Sequence, residues 1–204
     1  RVRVAFGRSK TKVSGFVVGL ASVSEHEGNL ATLDEIVSIA QVLKPSIYKL
    51  CRAIADRQST SLADVTRLAV PTRSVAVEKK WLLTLAPLEL RAPKVESVAK
   101  TAELIRPVSE ELASWVADIA TRAGQSLTKN ESAIFCLPDI SDVHAVSAAL
   151  ESAGIAHTQI HSDQKPSELY QAFLNCHSQQ STIVIGNRNS LFAPVDGLGL
   201  IYVW

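Results

Sequence analysis

The residues best placed by type and spacing to do chemistry are cations at the start of the chain. Arg1, Arg3, Arg8, Lys10 and Lys12 put five positive charges into twelve residues, and no acid occurs before Glu25. Arg1-Val2-Arg3-Val4-Ala5-Phe6 alternates with the period of a strand, so Arg1 and Arg3 share a face while Arg8 to Lys12 line the turn that follows. That array suits phosphate oxygens, and such contacts position a nucleic-acid backbone without reading its sequence. The same charges also fit an edge strand protected against pairing, and on the residues alone both readings stay open. Nucleotide hydrolysis has a weaker basis. A phosphate-binding loop needs a second glycine and a Lys-Ser or Lys-Thr pair at the opening of a helix. No such motif occurs, and Gly124-Gln-Ser-Leu-Thr-Lys129 follows a helical pattern, where it reads as a C-cap and loop. The histidines lack metal spacing: His157 and His161 fall on a strand and its following loop, and both are expected at the surface or hydrogen-bonded. Cys51, Cys136 and Cys176 sit in apolar periodic segments and read as buried thiols, with no CxxC pair.

Charge is informative only when divided. Residues 1–80 hold 13 Lys and Arg against 7 Asp and Glu, whereas residues 81–204 hold 8 against 13, so a basic front precedes an acidic back within an overall charge of +1. The basic half suggests a polyanion-facing module or an ordinary solvated face. With 47% apolar and 20% charged residues over 204 positions, one or two globular domains are expected. The opening superficially resembles a secretory signal, but its period-two alternation and the Ser14-Gly15 break favour paired strands. No apolar run approaches the roughly 20 residues of a membrane span. With no Met and Arg in first place, both ends are expected to cut through domains.

The elements that must position these residues fall into three stretches. In residues 1–73, strands are expected over Arg1–Phe6, Val13–Val23 and Leu33–Ile39, followed by two helices. Ile47, Leu50, Cys51 and Ile54 form the stripe of the first, and Leu62, Val65, Leu68 and Ala69 that of the second, which Ser61 and Asp64 cap and Pro71 ends. Residues 74–106 have strand or short-helix character and read as a connector. From 107 to 204, helix (108–123, stopped by Gly124), strand (133–137), helix (141–153), strand (155–160), helix (166–177), strand (182–185), short helix and strand (200–203) alternate, the pattern of a three-layer parallel α/β sheet. The expected fold class is therefore α/β, or α+β overall.

Several of these stretches resemble one family. Thr182 to Trp204, TIVIGNRNSLFAPVDGLGLIYVW, is similar to the IGTRSALFxPxxxLGxIxIDEEH segment of primosomal protein N′, the PriA family of replication-restart helicases. Cys136-Leu137-Pro138-Asp139 looks like its VPE motif, RVRVAFGRSKTKVSGFVVG like its RVRVPFGxxxxxGxVV motif, and AIADRQSTSLADVTRLAVP like its AxxYxxxxGDVLxxALP stretch. The match covers about residues 1–73 and 131–204 in the family's order. It implies a 3′-DNA-binding-like domain at 1–73, a connector at 74–106 and a partial RecA-like helicase domain without a P-loop at 107–204. Gly7 matches the glycine that lets a terminal nucleotide approach the backbone, although a tight turn alone would also call for glycine. Arg188 matches the GTR motif beside the single-stranded DNA track, with Asn187 in place of Thr, or is a structural arginine. The family's pocket lysine falls near Asp34, a charge reversal.

The family's ATP and metal chemistry has no counterpart here. Its phosphate loop falls at Arg106-Pro-Val-Ser-Glu110, which has no glycine, and its magnesium-associated Asp falls at Trp204. The chain thus resembles a shortened, actinobacterial-type relative without recognisable helicase motifs. The resemblance implies a cytoplasmic, nucleoid-associated protein that binds forked, single-stranded or 3′-ended DNA and other primosome or single-strand-binding proteins, away from membranes. No ATP, magnesium or zinc is expected to be bound. An ATP-dependent helicase whose motifs lie outside this chain, and an unrelated α/β small-molecule-binding protein using the strand ends near Asp139 and Gly186, are the rival readings.

Overall fold

The computed structural model describes residues 1–6, 11–30, 32–84, 99–103 and 112–204, which form two compact units, 1–44 and 45–204. In the first unit, β1 (Val2–Phe6) lies between β2 (Thr11–Gly15) and β3 (Glu35–Ile36) in an antiparallel sheet of order β2-β1-β3. Val4 faces Val13 and Ala5 faces Lys12 across β1 and β2, while Val2 and Arg3 face Ile36 and Glu35 of β3. Because facing residues share a side of the sheet, Arg3, Lys12, Ser14 and Glu35 occupy one face and Val2, Val4, Val13 and Ile36 the other. β2 and β3 are both shorter than their β-branched runs predict. A strand persists only where it has a partner, and β1 offers one for five residues.

The second unit opens with a helical hairpin. α1 (Pro45–Gln58) starts with proline in its first turn and buries Ile47, Cys51 and Ala55. α2 (Leu62–Ala69) is capped by Ser61, whose Oγ accepts from the Asp64 amide at 3.1 Å, and it buries Val65 and Ala69 while Leu68 is exposed. Residues 75–84 are helical rather than strand-like and form α3 (Val75–Thr84), which packs on α6 (Pro166–His177). The contact is polar at its centre. Glu78 and Tyr170, both buried, are hydrogen-bonded to each other, Arg73 pairs with Glu78 at 2.8 Å, and Trp81 stands edge-on to His177 at 5.4 Å.

The remaining elements build the parallel sheet that the alternating pattern implies. β4 (Ser132–Cys136), β5 (Thr158–Ile160), β6 (Ile183–Gly186) and β7 (Leu198–Val203) lie in the order β5-β6-β4-β7. Every residue of β4 and β6 is buried, as expected of strands covered on both faces. Ala133, Phe135, Ile183 and Ile185 meet α4 (Leu112–Thr128) and α5 (Ile140–Ser152) through Trp115, Ile119, Val143, Val146 and Leu150. Ile134, Val184 and Ile160 point the other way, against Ala172 and Cys176 of α6 and against Ala193.

Gly124 does not end α4, which runs on to Thr128. A Cβ at Gly124 would make only an ordinary contact with Ile155, and the helix stops at Asn130, whose φ of 57° is the left-handed conformation that asparagine tolerates. Gly154 (φ 69°) delays β5 to Thr158. At Gly186 a Cβ would collide with the Ile160 carbonyl, so only glycine lets β5 and β6 close at that point. Cys51, Cys136 and Cys176 are all buried, as their apolar surroundings in sequence imply. Among the described residues no helix is long and apolar enough to cross a membrane.

Candidate nucleic-acid interface

The polar face of the three-stranded sheet carries the cations expected there, with partners that the sequence did not reveal. Arg3 Nη1 lies 3.1 Å from Glu35 Oε2 across β1 and β3, and both side chains are about half exposed. Such a pair in water is worth about 0–1 kcal/mol, so Arg3 can exchange it for a phosphate at little cost. Extending the β1–β2 register by one residue sets Arg1 opposite Phe16, and the Arg1 guanidinium lies 5.1 Å from the centre of that ring. The Arg1 main-chain nitrogen also donates to the Ser38 carbonyl at 2.9 Å. Lys12 is exposed on the same face. Arg1, Arg3, Lys12 and Phe16 therefore combine three cations with one aromatic ring, the two components that single-stranded nucleic acids need. Phe16 was legible in principle, since it continues the alternation of Lys12 and Ser14. Gly7, Arg8 and Lys10 lie outside the described residues, as do Arg106 to Glu110.

Arg188 belongs to the other unit. It opens a 3-10 helix, Arg188–Phe192, directly after β6, where Asn187 caps the turn through its Oδ1 to the Asn189 amide at 3.2 Å. Together with Cys136, Pro138, Asn187 and Trp204 it lines a cavity of about 260 Å³ at the carboxyl ends of β4, β6 and β7. The carboxyl ends of parallel strands are where open α/β sheets take ligands. Trp204 stacks on Trp115 with centroids 5.0 Å apart and planes 5° apart, and its amide extends the β4–β7 ladder to the Cys136 carbonyl at 3.0 Å. Beside the cavity Asp139 caps α5, and the hydrogen bonds it accepts from Ser141 hold its carboxyl below the usual range. Burial pushes the Cys136 thiol up, away from the reactive thiolate.

The two histidines four residues apart do not share one environment. His157 is hydrogen-bonded through both ring nitrogens, to Ser147 Oγ at 2.8 Å and to the Ile155 carbonyl at 3.0 Å. His161, expected at the surface or hydrogen-bonded, is instead buried, and its Nδ1 makes no hydrogen bond among the described residues. It follows the last residue of β5, so the strand itself carries the ring inward beside His144. Burial lowers its pKa, Asp163 opposes that shift and His144 adds to it. No group of three or more metal-ligating side chains occurs among the described residues.

Comparison with known proteins gives this geometry a family. Residues 1–71 match the family described as 3′DNA-binding domain (3′BD) of PriA. The whole chain aligns with the probable replication restart protein PriA of Mycobacterium leprae (strain TN) at 31% identity, and with that of Mycobacterium tuberculosis (strain CDC 1551 / Oshkosh) at 30%. It spans about a third of the length of these relatives, 34% and 33%. A match along the entire chain, from the basic β1–β3 sheet through the parallel sheet to Trp204, leaves no room for an unrelated α/β protein. The chain is a relative of the replication restart proteins PriA, with the 3′DNA-binding domain family represented at residues 1–71.

Proposed function

We propose that this chain acts in replication restart by binding forked or 3′-ended DNA, and that it does so without hydrolysing ATP. The observation that carries the reading is the grouping of Arg1, Arg3, Lys12 and Phe16 on one face of a sheet within the stretch that matches the 3′DNA-binding domain. The cations hold the backbone, and the ring offers a surface on which a base can stack. Arg188, at the strand-end cavity, supplies a further contact to single-stranded DNA. Two features favour a binding role over a motor. Arg106 to Glu110 contains no glycine, and Trp204 fills its position with an indole stacked on Trp115, which can neither hold a metal ion nor move a proton. Other primosome or single-strand-binding proteins are the partners this role requires, in the cytoplasm at the nucleoid.

The reading is tested by titrating a labelled fork with a free 3′ end at several salt concentrations. Affinity should fall steeply with salt, and the double variant Arg3→Glu, Lys12→Glu should lose at least tenfold while its melting temperature stays within a few degrees. Phe16→Ala should weaken single-stranded DNA more than duplex, by about 1–3 kcal/mol per stacked base. DNA-stimulated ATP hydrolysis by the purified chain would overturn the non-catalytic part of the reading. Unchanged affinity in the charge-reversed variant would overturn the DNA face.

A further inference from the structure

We propose that the outer edge of β5 is a docking strand for an extended, lysine- or arginine-rich peptide segment of a partner protein, and that the Gln164 side chain occupies that edge in the free protein. β5 ends the parallel sheet, with β6 on one side and, among the described residues, no neighbouring strand on the other. Backbone groups of alternate residues in such a strand point outward, here those of Gln159 and His161. Gln164 reaches back to them with its amide: Nε2 donates to the Gln159 carbonyl at 3.2 Å, and Oε1 accepts from the His161 amide at 3.0 Å. One residue of an added parallel strand would make the same pair of bonds, a donor to residue 159 and an acceptor from residue 161. The side chain is thus a stand-in for one peptide unit. Because it belongs to a surface turn, an incoming chain can displace it without disturbing the β5–β6 ladder.

The surroundings state what kind of chain fits. On one side of this edge lies an open cavity of about 660 Å³ lined by Glu151, His157, Asp163 and Glu168, and on the other a second, of about 460 Å³, lined by Thr158, Ser167, Gln171 and Asn175; both share Gln159, Gln164 and Glu168. The groove therefore runs along the strand, offers amide and hydroxyl groups to a backbone, and carries three carboxylates for basic side chains. Lys165, the cation on its rim, is already paired with Glu168 at 3.7 Å. His161 lines the first cavity at 8% exposure. The proposal is independent of the DNA face, which lies in the other unit.

The experiment uses the full chain and a fluorescein-labelled hexapeptide, Lys-Val-Lys-Val-Lys-Val, with Lys-Pro-Lys-Pro-Lys-Pro as a control of equal charge that lacks the alternate amides of a ladder. Anisotropy should show at least tenfold tighter binding of the valine peptide. Glu151→Gln combined with Glu168→Gln should weaken it about tenfold, and Gln164→Gly, which removes the stand-in, should tighten it several-fold. Hydrogen exchange on the unmodified protein gives a readout that needs no variant: the amides of 159 and 161 should exchange more slowly when peptide is bound. Equal binding of both peptides, or no added protection at 159 and 161, would overturn the proposal. So would a Gln164→Gly variant that dimerises through β5 and leaves the peptide unbound.

Discussion

The two sheets of this protein are made from similar β-branched residues and solve opposite problems. The antiparallel sheet is small and open: Val13 is 44% and Ile36 68% exposed, and its strands last only as long as β1 gives them partners. The parallel sheet is closed at its centre, where β4 and β6 bury every residue between helical layers, and exposed only along its edges, as at Val203 of β7. Burial supplies most of the free energy of folding, so the closed sheet holds the molecule together, while the open one presents side chains at little cost to stability. The difference predicts where mutations will hurt and where they will change binding.

The largest effect separates the sheets directly. Phe135→Ala in β4 should cost about 3–5 kcal/mol, against no more than about 1 kcal/mol for Val4→Ala in β1, as read from chemical denaturation. Equal costs would refute the division of labour. Next comes the joint between α3 and α6. Glu78→Ala leaves the Tyr170 hydroxyl and Arg73 without their shared carboxylate and should cost about 3–5 kcal/mol, whereas Tyr170→Phe, which removes one hydrogen bond, should cost about 1–3 kcal/mol. If the two variants melt together, the carboxylate is not the centre of the joint.

A smaller effect is set by pH. His161 has its pKa lowered in the folded state, so folding favours the neutral ring. That contribution is complete above the unfolded value of about 6.5 and is lost as pH falls through the lower folded value. Stability should therefore decline on acidification below about pH 6.5, and His161→Gln should flatten that part of the profile in denaturation measured from pH 7.5 to 5. The smallest change is a gain. Gly124 lies inside α4, and a Cβ there would meet Ile155 Cδ1 at 3.9 Å, an ordinary contact, so Gly124→Ala should raise stability by up to about 1 kcal/mol. A loss would show that Ile155 cannot yield.

The closed sheet was the more legible of the two, for a physical reason. Residues buried on both faces read as uninterrupted apolar runs, and those of β4 and β6 mark their strands to within a residue. The helix α3 was legible only as strand or short helix, because its buried positions include Glu78 beside Trp81, and a buried carboxylate looks in sequence like a solvated one. Gly124 misled because a glycine that stops a helix and one that merely lies within it are the same letter. The cations of the open sheet were evident and the face of Phe16 was legible from alternation, but the pairings of Glu35 with Arg3 and of Phe16 with Arg1 depend on a cross-strand register that no local pattern contains. The amide of Gln164 lay further out of reach, since its bonds to residues 159 and 161 require the strand edge to exist first.

The stacked pair Trp115 and Trp204 has an optical consequence. The three tryptophans, 81, 115 and 204, and the three tyrosines, 48, 170 and 202, all belong to residues 45–204, so tryptophan and tyrosine emission is blind to residues 1–44. Two indoles in parallel planes at 5.0 Å should couple and give a paired signal in near-ultraviolet circular dichroism that vanishes when β7 leaves the sheet. The larger unit thus carries its own reporter, and the smaller one can be watched only through an added label.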